Sequence, residues 1–259
     1  MSARGPRDLA QQVEGRRAVR ELLVANRRRV HDIWLASDSA PSDVLAEITA
    51  LAEAQNVKVR RVPGDQIDRK ARTESPQGVL AFAAPVEPAN FDELLADPFA
   101  FLVALDGVTD PQNLGAVLRT AETMGATGAV LPTHRAVGLS PAVTKAAAGA
   151  LEYLPIAFVS GIPSALDRAK RAGVWSVGLD AGGTVSVHDV AVADQPLVLV
   201  LGAEGRGLSR LARTRCDVIA SIPMQGHIES LNVSAAAAIA CSAIAHLRTG
   251  SDPGEKDEA

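Results

Sequence analysis

Residues 222–240 read IPMQGHIESLNVSAAAAIA, and the reading of this stretch decides the fold. A short strand, DVIASIP at 217–223, runs into a polar loop, and the loop runs into an apolar helix. The loop brings Gly226, Glu229, Ser230 and Asn232 close together in sequence. The helix has little side-chain bulk: Ala235 to Ala238, Ala240, Ala243 and Ala245 let a neighbouring backbone approach closely. Asn232 and Ser234 suit its N-cap, because a short side-chain oxygen accepts an N–H that a helix start leaves unpaired. Polar groups at a helix start, directly after a buried strand, are where α/β proteins hold ligands. The same residues also fit a capped helix packed tightly on a sheet, so the rest of the chain has to be weighed.

Upstream, the second half of the chain repeats the strand–helix alternation. FAFLVALDG (99–107) is a continuous apolar run, expected of a strand buried on both faces. AVLRTAETMGA then spaces Leu114, Val117, Leu118 and Ala121 onto one helix face, with Arg119 and Glu122 on its surface. TGAVLP (127–132), LPIAFV (154–159), VWSVGLDA (174–181) and PLVLVLG (196–202) read as further strands. SPAVTKAAAGA (140–150), with Ser140 as N-cap and Pro141 at the first helical position, and IPSALDRAKRAG (162–173) read as helices. The pattern predicts a mostly parallel sheet with helices on both faces. After PLVLVLG comes Ala203-Glu204-Gly205-Arg206-Gly207-Leu208. Its spacing is not the dinucleotide fingerprint, and no G-K-[ST] follows, so it is not a phosphate loop. Its glycines still require close backbone approach, to a ligand or to another segment.

The first half is a smaller α/β unit. A helix is predicted from Val13 through VEGRRAVRELL, with Val19, Leu22 and Leu23 inward. VHDIWLA (30–36), VKVRRV (57–62) and GVLAFAA (78–84) read as strands, and 41–55 and 64–71 as helices. Pro85, Pro88 and Pro98 mark a linker.

The 259 residues carry 26 Lys and Arg against 30 Asp and Glu, a formal charge of −4, which by itself argues against a nucleic-acid partner. The distribution matters more: Arg16, Arg17, Arg20, Arg27, Arg28 and Arg29 cluster early, away from the acidic end SDPGEKDEA, and can meet phosphates locally or serve only as solvated helix faces. The start, MSARGPRDLA, has no apolar secretory core, and the longest apolar run is shorter than the ~20 residues of a membrane helix. Cys216 and Cys241 have no metal-ligand or redox spacing, and read as buried small hydrophobes of a cytoplasmic protein.

Three of these segments together resemble one family. DGVTDPQNLGAVLRTAE (106–122), VLGAEGRGL (200–208) and IPMQGHIESLNVSAAAAIA (222–240) are similar, in order and spacing, to the three motifs of the SpoU (TrmH-type) RNA ribose 2′-O-methyltransferases of the SPOUT superfamily. The likeness spans most of residues 99–248. The first half resembles the small ribosomal-protein-like RNA-binding domain found ahead of the catalytic domain in many members, through its layout, EGRRAVRELL and SPQGVLAFA. DPQNLGAVLRTAETMGATGAVLP and HRAVGLSPAVTKAAAGALEYLPIA bring the chain nearest to the bacterial 23S rRNA guanosine-2′-O-methyltransferases. The composition predicts a flexible lead (1–8), a linker (87–98) and a disordered acidic tail (250–259); the resemblance implies an RNA-binding α/β domain (9–86) and a SPOUT domain with a deep trefoil knot (99–249). It also implies a homodimer with the site close to the subunit interface.

Site residues follow from the same resemblance. Gly202, Ile222 and Leu231 are expected to hold S-adenosylmethionine, chiefly through backbone groups. Asn113, Arg119, Glu204, Ser230 and Asn232 are expected around the ribose. The family proposal makes Arg119 the base. A guanidinium is normally always protonated, so positioning a phosphate and stabilising the developing alkoxide suit Arg119 better. Asn113, Ser230 and Asn232 would orient the hydroxyl and the arginine. Glu204 either pins the glycine turn through backbone N–H bonds or takes a direct part. The sulfonium methyl is already activated, so the chemistry calls for alignment and proton removal and for no metal. The competing expectations are a tRNA methyltransferase, a non-catalytic RNA-binding or ribosome-assembly factor, and a nucleotide-dependent reductase. The missing glycine fingerprint argues against the last.

Overall fold

The computed structural model describes residues 11–133, 139–227 and 230–249; the expected lead (1–8) and tail (250–259) lie outside the described residues. In chain order the first elements are β1 (Gln11–Glu14), α1 (Arg16–Ala25), β2 (Val30–Ala36), α2 (Asp43–Ala54), β3 (Val59–Val62), α3 (Gly64–Lys70) and β4 (Val79–Ala83). Next come α4 (Phe91–Leu95), β5 (Phe101–Asp106), α5 (Pro111–Thr123), β6 (Gly128–Pro132), α6 (Pro141–Ala147) and β7 (Ile156–Val159). The last are α7 (Ile162–Arg171), β8 (Trp175–Leu179), β9 (Val185–Ser186), β10 (Leu197–Gly202), α8 (Arg210–Arg215), β11 (Val218–Ser221) and α9 (Val233–Thr249). They form two compact units. One takes the described residues up to Glu87 with Leu114–Arg119 and the described part of Val137–Tyr153; the other takes the remainder.

The first unit holds a four-stranded sheet in the order β1-β4-β2-β3, antiparallel except for β2 with β3. Its core closes where Val19, Leu22 and Leu23 of α1 meet Ile33, Ile48 and Ala81. The predicted helix from Val13 starts later than expected. Gln11–Glu14 is instead a strand against β4, and Gly15, at φ 92°, turns the chain into α1. The partner strand lies far along the sequence, out of reach of local periodicity. Glu14 is buried there because its carboxylate accepts the N–H groups of Arg72 (2.7 Å) and Thr73 (3.1 Å).

Much of the early arginine cluster is used inside this unit. Arg16 Nε donates to the Gln77 carbonyl at 3.1 Å, and Arg20 forks onto Glu47 at 2.7 and 2.8 Å. Arg28 is buried on Glu152, with Nε donating to Oε2 at 2.8 Å and Nη1 to the Ala84 carbonyl at 2.8 Å. The two side chains of this pair are only 7% and 2% exposed.

The second unit is a seven-stranded sheet in the order β7-β6-β5-β10-β8-β11-β9, with every ladder parallel. The chain steps outward from β5 to β7 and resumes on the other side at β8. Then β10 fills the central gap, with Gly202 opposite Asp106 at the carboxyl end. This is the topological switch point of an open α/β sheet. Within the stretch 87–98, Asn90 caps the short helix α4, and Phe91 and Leu95 are buried in the core with Leu102, Val130 and Leu166. Arg248, near the end of α9, donates to the carbonyls of Ala193 (2.8 Å), Gln195 (2.9 Å) and Phe99 (2.8 Å). Cys241 is fully buried and Cys216 half-buried; burial pushes both thiols up to about 12.

Two outcomes follow from this packing. Glu152→Ala leaves the Arg28 charge buried and unpaired, which costs about 3–5 kcal/mol. The unfolding midpoint is expected to fall by about 10 °C in a thermal melt. Thiolate is the reactive form of cysteine, so at pH 8 both native cysteines should react with a thiol reagent about a thousandfold more slowly than a free thiol. Their rates should still climb above pH 9, where a free thiol levels off.

Candidate active site

The site lies at the carboxyl ends of β8, β10 and β11, all in the second unit. After β10 the chain folds straight back on itself. Ala203 N–H donates to the Gly207 carbonyl (3.1 Å) and Gly207 N–H to the Ala203 carbonyl (2.8 Å). Gly205 and Gly207 hold φ at 71° and 62°, the left-handed region that other residues enter at a cost. A Cβ on Gly202 would lie 2.1 Å from the Gly207 carbonyl carbon, so only glycine permits the reversal.

This hairpin, the segment after β11 and the first turn of α9 enclose a cavity of about 330 Å³. Its size falls within the ~300–1,000 Å³ of small-molecule sites. Gly202, Ile222 and Leu231 line it, with Leu179, Leu201 and Val233. Ser230 and Glu204 also reach it. Apolar side chains beside glycine backbone suit an adenine ring and a sulfonium chain, with N–H and C=O groups available for the polar edge. These residues fit S-adenosylmethionine.

Beside the cavity three polar residues, distant in sequence, bond to one another. Asn113 sits on the first turn of α5, where Asp110 caps the helix by accepting Asn113 N–H at 2.8 Å. Asn113 Nδ2 donates to Glu204 Oε1 at 2.8 Å. Asn232 Nδ2 donates to Asn113 Oδ1 at 3.1 Å and also to Glu204 Oε1. Asn232 Oδ1 accepts from Ser234, from its N–H at 2.8 Å and its hydroxyl at 2.6 Å, and so caps α9 as the sequence predicts. Bonds to an ionised acceptor are shorter and stronger than neutral ones, so Glu204 sets the orientation of both amides. The carboxylate bonds to side-chain amides; no bond to a turn N–H is seen among the described residues.

Of the expected site residues, the structure brings Gly202, Ile222, Leu231, Ser230 and Glu204 to one cavity and ties Asn113 and Asn232 to Glu204. Arg119 is exposed on α5, about 9 Å along the axis from Asn113 at the rise of an α-helix. Its guanidinium has no hydrogen-bond partner among the described residues. Glu229 lies outside the described residues. Sequence reasoning missed Leu179, Asp180 and Met224, which also line the cavity. The signal was available: in a parallel sheet the end of VWSVGLDA opens on the same edge as the ends of β10 and β11. Among the described residues no group of three His, Cys, Asp or Glu is placed to hold a metal ion. No helix among them is long and apolar enough to cross a membrane.

Comparison with known proteins agrees with this geometry. The model of the SpoU rRNA Methylase family matches residues 100–242, and that of RNA 2′-O ribose methyltransferase substrate binding matches residues 12–89. A Staphylococcus haemolyticus protein named for the TrmH family of tRNA/rRNA methyltransferases is 37% identical over 88% of this chain and 92% of its own. The crystal structure of the SpoU methyltransferase AviRb from Streptomyces viridochromogenes, in complex with AdoMet, superposes with a TM-score of 0.78. It is 25% identical, over 94% of this chain and 92% of AviRb. An AdoMet-bound rRNA methyltransferase from Sinorhizobium meliloti superposes at 0.75, 25% identical over 93% of this chain and 88% of its own.

The cofactor of this chain is S-adenosylmethionine. Leu231→Ala removes an apolar wall that is 39% exposed. It is expected to weaken S-adenosylmethionine about tenfold by calorimetry, the effect of about 1.4 kcal/mol of lost contact. Gly202→Ala should remove binding altogether, because the added carbon meets backbone.

Proposed function

The chain belongs to the SpoU rRNA methylase family and is an RNA methyltransferase; we propose that it methylates a ribose 2′-hydroxyl, that of a guanosine in 23S rRNA. The observation that carries this reading is the Asn113–Glu204–Asn232 cluster beside the cofactor cavity. Its acceptor and donor atoms suit a hydroxyl, and the substrate-binding family model that matches residues 12–89 is that of RNA 2′-O ribose methyltransferases. The substrate-binding match over residues 12–89 supports a ribose of RNA as the acceptor, and the rRNA methyltransferase among the similar structures supports rRNA. Guanosine rests on the sequence likeness of 110–132 and 134–157 to the 23S guanosine enzymes.

When bound, S-adenosylmethionine supplies an electrophilic methyl group, so the protein must align the ribose oxygen and let its proton pass to the Glu204 carboxylate, whose Oε2 is bonded to neither amide, and on to water. Asn113, whose amide keeps one N–H free among the described residues, orients that hydroxyl; Asn232, with both N–H groups on Asn113 and Glu204, holds Asn113 in place, and Ser230 bonds the hydroxyl from the cavity side. Arg119 positions the adjacent phosphate and stabilises the alkoxide charge as it develops. The proposal extends to a division into an RNA-binding domain (9–86) and a SPOUT domain (99–249), a deep trefoil knot in the latter, and a homodimer that works in the cytoplasm.

The test is methyl transfer from labelled S-adenosylmethionine to separate unmodified 23S rRNA and tRNA pools, with the product nucleoside identified by mass spectrometry. The expected product is 2′-O-methylguanosine in the 23S pool alone. Label in tRNA alone overturns the rRNA assignment, and a base-methylated nucleoside overturns the ribose assignment. Arg119→Ala should lower kcat by about a hundredfold or more, the range for one lost charge stabiliser, with cofactor affinity unchanged. Normal turnover in that variant removes Arg119 from the mechanism.

A further inference from the structure

A second cavity, about 850 Å³, opens at the carboxyl ends of β5 and β6 and the start of α7, within the second unit. It shares one wall with the cofactor cavity: Ala203, Arg206 and Gly207 of the hairpin face both. Its floor is mixed. Thr109, Ser160 and Ser209 offer hydroxyls, while Pro163 and Leu211 offer apolar surface and Ile162 is buried behind them in the core. Leu211 is 61% exposed, an unusual position for a leucine.

The charges are distributed unevenly. On α8, Arg213 and Arg215 are paired with Asp180 and Asp167. Arg206 and Arg210, which line the cavity, have no hydrogen-bond or ion-pair partner among the described residues. The one carboxylate in the wall, Asp106, is engaged by Ser209 N–H at 2.7 Å. Two unpaired guanidiniums suit phosphate oxygens, and the exposed apolar surface suits the face of a base.

Resting on the reading of the chain as an RNA methyltransferase, we propose that this cavity takes a nucleotide of the RNA strand next to the acceptor ribose, with its phosphate held by Arg206 and Arg210 and its base lying on Leu211 and Pro163. The volume admits a nucleotide, and the shared hairpin wall keeps the neighbouring ribose next to the methyl donor. An RNA strand can run along the hairpin from the second cavity to the rim of the cofactor cavity, because Arg206 faces both.

The test is a salt series of binding to unmodified 23S rRNA and tRNA transcripts, with methyl transfer assayed in parallel. Arg210→Ala and Arg206→Ala are each expected to weaken binding to the methylated RNA about five- to tenfold. Each should lower the slope of log affinity on log salt by about one, the signature of one lost phosphate contact. Arg210→Lys should restore the slope. Arg215→Ala, on the same helix but paired with Asp167, is the control and should leave the slope unchanged. Wild-type affinity and slope in Arg210→Ala overturn the proposal, and so does an equal effect in Arg215→Ala, which would reveal only the general field. A wild-type protein that binds neither RNA overturns it as well. Binding through Arg210 without methyl transfer to either RNA would instead sink the methyltransferase reading and leave the cavity assignment standing.

Discussion

The backbone reversal after β10 is the constraint on which the site depends. Gly202 ends the central strand of a parallel sheet, and the chain returns so close that a single added carbon would meet the Gly207 carbonyl. Such a turn cannot be moved along the strand by a residue without placing a side chain where none fits. The position of Glu204 relative to β10 is therefore fixed by backbone packing, with no help from a ligand. The cofactor cavity on one side of the hairpin and the larger cavity on the other are both consequences of that fold-back.

A second economy lies in Asn232. Its oxygen caps α9 and its nitrogen bonds to Asn113 and Glu204. An aspartate would cap the helix equally well but would set a second carboxylate against Glu204, and a serine would cap it without reaching across. Only an amide serves both ends. The same holds for Asn113, whose oxygen accepts while its nitrogen donates. The cluster is thus preorganised by hydrogen bonds among its own members, so engaging a further polar group there costs it little reorganisation.

The parts of the fold legible in the sequence are those with a local signature. The strand at 30–36, the cap at Ser140, the proline start of α6 and the inward face of α5 all rest on spacing within a few residues. The parts that were not legible depend on distant partners. β1 exists because β4 is there to pair with it, and the two-residue β9 because β11 is. Phe91 and Leu95 sit among prolines and acids that read as a linker, and the core they enter is assembled from β5, β6 and α7. The site shows the same division. Its residues were found through three motifs, but the bonds between Asn113, Glu204 and Asn232 join positions 28 to 119 residues apart, which no periodicity could reveal. Glu204, left open between pinning a turn and taking part directly, proves to hold two amides.

Net charge is a poor guide to this chain because it sums cations that do very different work. Arg20, Arg28, Arg60, Arg168, Arg213 and Arg215 are each neutralised by a neighbouring carboxylate, and Arg248 is spent on carbonyls. Their contribution to the field outside the protein is largely cancelled at short range. What an anionic strand meets is the remainder, and part of that remainder is Arg206, on the hairpin that borders the cofactor cavity, and Arg210, on the helix that follows it and lines the second cavity. A protein of net charge −4 can therefore present positive charge where its chemistry requires it, since affinity for phosphate follows the unpaired guanidiniums near the site and not the total.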